Sequence, residues 1–298
     1  TVIRDLTLST GGTVTGIVRN TNSAPMTGAQ VTLNSALGSQ NTTTDGSGVY
    51  QFDVVPLGDV EVIALDPGTG LRGRAAGNLG VSGQTLNLNV QLRVSGQIAG
   101  TIRRPDGTTP AGGATVYLSS LGSTAIADAG GNYAFDFIPA GGYTLTATET
   151  NKGENAAVSG AITFNGESQT VNINVRSIIQ IGNAVVKEGN VGATNAVFAV
   201  TLSSPSASSV GVSYATASGT AFAVSDFQTK SGNLTFVPGV TTQTVSVAVN
   251  GDVAIESDEA FYVNLLAPVN ATIGLSQGVG TILNDDGAPG VIDHFTWD

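Results

Sequence analysis

TTTDGSGVYQFDVVPLGDV at residues 42–60 and AIADAGGNYAFDFIPAGGYT at residues 125–144 are two versions of one pattern, and the repetition decides the fold. Asp45, Tyr50, Phe52, Pro56 and Gly58 recur as Asp128, Tyr133, Phe135, Pro139 and Gly141, each 83 residues further on. Apolar residues alternate through Tyr50, Phe52 and Val54, as they do earlier through Val14, Gly16 and Val18, the period of a half-buried strand. The aromatic residues Tyr50, Phe52, Tyr133, Phe135 and Phe137 are therefore expected on the core faces of strands. Asp45 and Asp128 open turns in which a carboxylate accepts backbone N–H groups, and Gly48 and Gly131 fall where such turns need a positive φ.

Working outward, the same pattern fills the chain. Its 298 residues include Gly 40 and Pro 10, a composition of many short strands joined by tight turns. With 41% hydrophobic and 11% charged residues the chain is too apolar to stay disordered, and its length allows about three domains. The balance of 22 acidic against 11 basic residues, a net charge of -11, opposes binding to nucleic acid and favours divalent cations as partners. Cysteine is absent, which excludes disulfides and thiolate metal sites. No run of about 18 apolar residues predicts membrane insertion, and the opening TVIRDLTLST does not read as a signal peptide.

The repeat, with its Gly-rich first strand, its "P..GA.V.L" strand and its "TD..G.Y.F...P.G.Y" hairpin, resembles the carboxypeptidase regulatory-like family over residues 10–177. The resemblance implies two transthyretin-like sandwiches, 10–94 and 95–177, each of about seven antiparallel strands and used as a spacer or scaffold. An intramolecular Lys–Asn cross-link is excluded from the first copy, because residues 1–94 hold no lysine; the second has only Lys152. Each copy closes on an alternating strand, TLNLNVQLRV and TVNINVRSI, that runs straight into the next unit. Residues 1–9 look like one more closing strand, expected either to begin a cut-out fragment or to add to a neighbouring sheet edge.

From residue 178 the pattern changes. EGNVG at 188–192, FAVTLSSP at 198–205, YATASGTAFAVSDF at 214–227, GNLTFVPG at 232–239, ESDEAFYVNL at 256–265 and GTILNDD at 280–286 together resemble the Calx-beta family over 178–287. The resemblance implies a third antiparallel sandwich and, carried over residue by residue, calcium ligands at Glu188, Asp226, Asp252, Glu256, Asp285 and Asp286. Glu259, at the start of AFYVNL, ranks behind those six as a further ligand. Ser218, Asn190 and Asn284 depart from the family pattern where relatives often carry Asp.

Catalysis has little to work with. The only histidine, His294, falls after the third unit in the 288–298 segment, read as a linker or the start of a further domain, so a Ser-His-Asp triad is not expected. Glycosidase chemistry needs an aromatic-lined cleft, and the only tryptophan is Trp297 in the same segment. The expectation is therefore an all-β rod of three tandem antiparallel sandwiches, non-enzymatic and extracellular. It would be a calcium-stiffened stalk or filament segment meeting neighbouring domains or identical subunits end to end. An adhesin-type module for glycan or protein, or an accessory region of a secreted enzyme, are the alternatives.

Overall fold

The computed structural model describes residues 11–287, and over these the chain is all-β. The expectation of a closing or donor strand at residues 1–9 lies outside the described residues, as do 288–298 with His294 and Trp297. The first segment forms β1 (Gly11–Arg19), β2 (Gln30–Ser35), β3 (Gly38–Thr43), β4 (Val49–Pro56), β5 (Gly58–Leu65), β6 (Arg72–Leu79), β7 (Thr85–Asn87) and β8 (Val90–Gln91). One sheet has the order β4-β1-β7 with β8 also on β1, and the other β3-β2-β5-β6. Strand for strand the second segment repeats this with β9 (Ser95–Arg103), β10 (Thr115–Leu118), β11 (Ser123–Ile126), β12 (Asn132–Pro139), β13 (Gly141–Thr148), β14 (Asn155–Ile162), β15 (Ser168–Thr170) and β16 (Ile173–Asn174). Its sheets run β12-β9-β15, with β16 on β9, and β11-β10-β13-β14. Each pair of sheets encloses its own apolar cluster, Val14 to Leu92 in one and Ile98 to Val175 in the other.

The third segment contains β17 (Ser177–Ile181), β18 (Ala184–Lys187), β19 (Ala193–Leu202), β20 (Val210–Ser218), β21 (Ser231–Phe236), β22 (Thr242–Asn250), β23 (Glu259–Val269), β24 (Ala271–Leu275) and β25 (Gln277–Leu283). They form sheets of order β22-β19-β17-β24 and β18-β25-β23-β20-β21 around a core in which Phe261 stacks on Phe227 and meets Phe198 edge-on. Pairing is mostly antiparallel, but not wholly so. β1 runs parallel to β7 and β8, β9 to β15 and β16, β17 to β24, and β18 to β25. In each segment the closing strands return beside the opening one in the same direction, a pairing that alternation alone does not predict.

The turns follow their chemistry. Asp45 Oδ1 accepts from the N–H groups of Ser47 (2.8 Å) and Val49 (2.9 Å), and Gly48 has φ 75°. A Cβ on Gly131, at φ 78°, would stand 2.4 Å from the Ile102 carbonyl oxygen, so that position admits no side chain. Two expected core residues are not in the core. Val54 is 74% exposed and Phe137 is only half-buried, while the next residues, Val55 and Ile138, are fully buried. Both strands bulge there: the register shifts beside Phe52 and Phe135, and Val54 and Phe137 each take φ 57°. A bulge inserts one residue and reverses the alternation beyond it.

Junctions between the segments are short. Leu92, Arg93 and Val94 carry the chain from β8 to β9, and Val175 and Arg176 from β16 to β17, with Leu92 and Val175 inside the cores they leave. Across the first junction the Arg72 and Arg74 guanidinium carbons lie 4.9 and 5.6 Å from the centre of the Phe137 ring. Across the second, Lys152 Nζ donates to Ser203 O and to Ser204 Oγ, both at 2.7 Å, and Ser203 Oγ donates to the buried Glu154 at 2.7 Å.

Candidate metal centre

Four segments of the third sandwich converge at one pole. Parallel pairing of β18 with β25 sets Lys187 opposite Leu283, so the residues that follow each strand, Glu188 and the Asn284–Asp286 run, leave the sheet side by side. Gly189 N donates to Asp285 Oδ1 at 3.0 Å, and Asn190 Nδ2 to Asp286 Oδ1 at 2.5 Å. Close approach of the 251–258 loop depends on Gly251, where a Cβ would meet Gly189 O at 2.0 Å. The loop before Phe227 is held through Asn250, whose Nδ2 donates to Val224 O (2.9 Å) and Ser225 O (2.8 Å). Val224 there has φ 82°, a strained value for a β-branched residue, and the loop places Asp226 against the head of β23.

Asp226, Glu256 and Glu259 each offer a carboxylate oxygen, and the three oxygens lie within 4.8 Å of one another. Around Glu188 gather Asp252, Glu256, Asp285 and Asp286, whose charges, after desolvation by burial, push the Glu188 carboxyl above the ordinary range. Glu259 is pushed up to about 7, chiefly by burial, then by its hydrogen bond and charge repulsion with Asp226 and by Glu256 and Glu188. Glu188 and Glu256 thus join the two groups into one acidic patch. Glu188 Oε1 and Asp286 Oδ2 are buried and have no hydrogen-bond partner among the described residues. Among the described residues the ion pairs are Arg74–Glu61 and Arg104–Glu149, so none of these seven carboxylates has a cationic side chain to offset it.

An all-oxygen donor set with buried, unpartnered carboxylate oxygens fits a hard divalent cation, which takes six to eight oxygens at roughly 2.3–2.6 Å when it is calcium. Of the six residues expected from the sequence, Asp226 and Glu256 sit in the tight trio, while Glu188, Asp252, Asp285 and Asp286 flank it. Glu259, ranked behind them, completes the trio. The three departures are part of the framework: Asn190 holds Asp286, Ser218 Oγ accepts from Ala223 N at 3.1 Å, and Asn284 Nδ2 donates to Glu256 O at 3.0 Å while its N–H reaches Asp258 Oδ1 at 3.1 Å. An Asp at 284 would lack the amide donor that ties the 251–258 loop to the end of β25.

The Calx-beta domain model matches residues 172–286, and the carboxypeptidase regulatory-like domain model matches residues 13–93. The chain carries a carboxypeptidase regulatory-like domain followed by a Calx-beta domain. Both are non-catalytic modules. Among solved structures, the apo form of the Calx CBD1 domain is 30% identical over 37% of this chain and 99% of its own length, with a TM-score of 0.33. The calcium binding domain CBD12 of CALX1.1 is 32% identical over 36% of this chain and 44% of its own, with a TM-score of 0.32. The TIE protein of Bacillus anthracis is 15% identical over 92% of this chain and 50% of its own, with a TM-score of 0.25. No curated protein matches the chain. The acidic pole, including both orphaned oxygens, falls within the Calx-beta domain.

Proposed function

We propose that the chain is a non-enzymatic structural segment of an extracellular stalk or filament, in which calcium at the pole of the Calx-beta domain stiffens the third of three stacked sandwiches. The domains are 10–94, 95–177 and 178–287, each around its own apolar cluster. The observation that carries the reading is the pole itself: seven carboxylates from four segments, two of them with buried oxygens that no group among the described residues satisfies. Repulsion among them disfavours the closed pole until a divalent cation bridges them. Glu188, Asp226, Asp252, Glu256, Asp285 and Asp286, joined by Glu259, would hold it, and the ion would supply cross-linking charge between the 188–192, 251–258 and 284–286 loops. Short junctions with direct contacts between neighbouring sandwiches support a stacked rather than beaded arrangement, suited to end-to-end contact with further domains or identical subunits.

Small-angle scattering with millimolar calcium and with EGTA tests the reading. An elongated particle whose largest dimension holds or grows on calcium addition is expected. A compact globule in both buffers, or the absence of any calcium-dependent heat or thermal shift, overturns it.

A further inference from the structure

We propose that the cleft between the first two sandwiches binds an acidic oligosaccharide, with its carboxylate held by Arg72 and Arg93. The proposal is independent of the calcium pole. The cleft has two adjoining lobes that share Arg72, Ser95 and Phe137. The larger, about 380 Å³, is lined by Arg72, Arg74, Arg93, Asn89 and Gln91. Three of the eleven basic residues of a chain with net charge -11 thus face one cavity.

Their arrangement is not one the fold demands. Arg72 and Arg93 face each other in an antiparallel bridge, Arg93 N donating to Arg72 O at 3.0 Å, which sets two like charges directly opposite. In the second copy the same bridge joins Asn155 to Arg176, so the architecture accepts a neutral partner at this place. Among the described residues neither Arg72 nor Arg93 has an ion-pair partner, whereas Arg74 approaches Glu61 at 3.7 Å. The Arg72 guanidinium stacks on Phe137, which fixes its plane and leaves its N–H edge for an oxyanion. A carboxylate between the two guanidinium groups would accept paired charge-assisted hydrogen bonds and cancel their repulsion.

The chemical class follows from the rest of the cleft. The smaller lobe, about 230 Å³, is lined by Gln97, Asp136, Asn165 and Glu167, whose Oε2 accepts from Thr163 N and Phe164 N. Amide and carboxylate side chains there suit hydroxyl groups, and a cavity of this size exceeds what a simple inorganic anion fills. The negative chain disfavours a polyanion such as nucleic acid. A sugar with one carboxylate and several hydroxyls satisfies both lobes.

The test is calorimetric titration of the full chain with an aldotriouronic acid, which carries one uronate on two neutral sugars, and with cellotriose, sodium sulfate and triglutamate, using wild type, R72N and R176N. R72N copies the pairing already present in the second sandwich, so it retains the fold. The aldotriouronic acid should bind at least tenfold more tightly than the other three, lose at least tenfold in R72N, keep its affinity in R176N and weaken with salt. Equal binding to wild type and R72N overturns the site. Sulfate or triglutamate binding as tight as the aldotriouronic acid overturns the ligand class.

Discussion

Replacing Glu259 by Gln separates the two roles assigned to the acidic pole, because it should move stability and cation affinity in opposite directions. In the cation-free protein the Glu259 carboxyl titrates at about 7 rather than at its ordinary 4.5. Since the folded pKa lies above the unfolded one, the associated penalty is absent below about pH 4.5, grows through the interval, and is complete above about pH 7. At about 1.4 kcal/mol per pK unit the full displacement corresponds to about 3 kcal/mol, and solvent contact at this half-buried side chain reduces the expectation to about 1–2 kcal/mol. In EGTA at pH 8, E259Q should therefore stabilise the Calx-beta domain by that amount, and at pH 4 the gain should vanish. With calcium, the variant has lost one charged ligand of the trio and should bind at least tenfold more weakly. Differential scanning calorimetry of the full chain at the two pH values, followed by calcium titration, gives both readouts. A variant that is less stable than wild type in EGTA at pH 8, or that binds calcium as tightly, refutes the reasoning.

Two further substitutions probe the framework. G251A forces a Cβ to within 2.0 Å of Gly189 O, so it should cost about 1–3 kcal/mol by denaturant unfolding and loosen calcium binding by parting the 188–192 and 251–258 loops. Y133F removes the hydroxyl that donates to Val171 O at 2.6 Å, and Y50F the equivalent donor to Leu88 O, so each should cost about 1–2 kcal/mol in its own sandwich, by the same assay. Burial holds Tyr133 up at about 12, with a smaller push from Tyr143, so the cost of Y133F should be the same at pH 6 and pH 9.

Much of this was legible in the residues. Alternation and the 83-residue recurrence predict the strands and the repeat, and Asp45 with Gly48 predicts its turn. Val54 and Phe137 were misplaced because a bulge shifts the alternation without leaving a Gly or Pro signal at the shifted residue. At the pole the carboxylates stood out in short motifs, but their ranking did not. Glu259, at the entry to its strand, ranks below the other six until the Asp226 loop folds over it. Asn190 and Asn284 read as lost ligands because sequence displays charge, whereas the hydrogen bonds that hold two loops together depend on their spacing in the fold. The Arg72–Arg93 pair was invisible for a related reason: twenty-one positions separate its members, and only the return of the chain beside β6 brings them face to face.

The parallel pairing of opening and closing strands has a mechanical consequence. Where β1 lies beside β7 and β8 in the same direction, and β9 beside β15 and β16, the chain enters each sandwich at one pole and leaves at the other. Tension applied along the chain then pulls those strands past one another, loading their hydrogen bonds together in shear instead of peeling them one at a time as in a hairpin. The third sandwich has that geometry twice, in β17 with β24 and in β18 with β25.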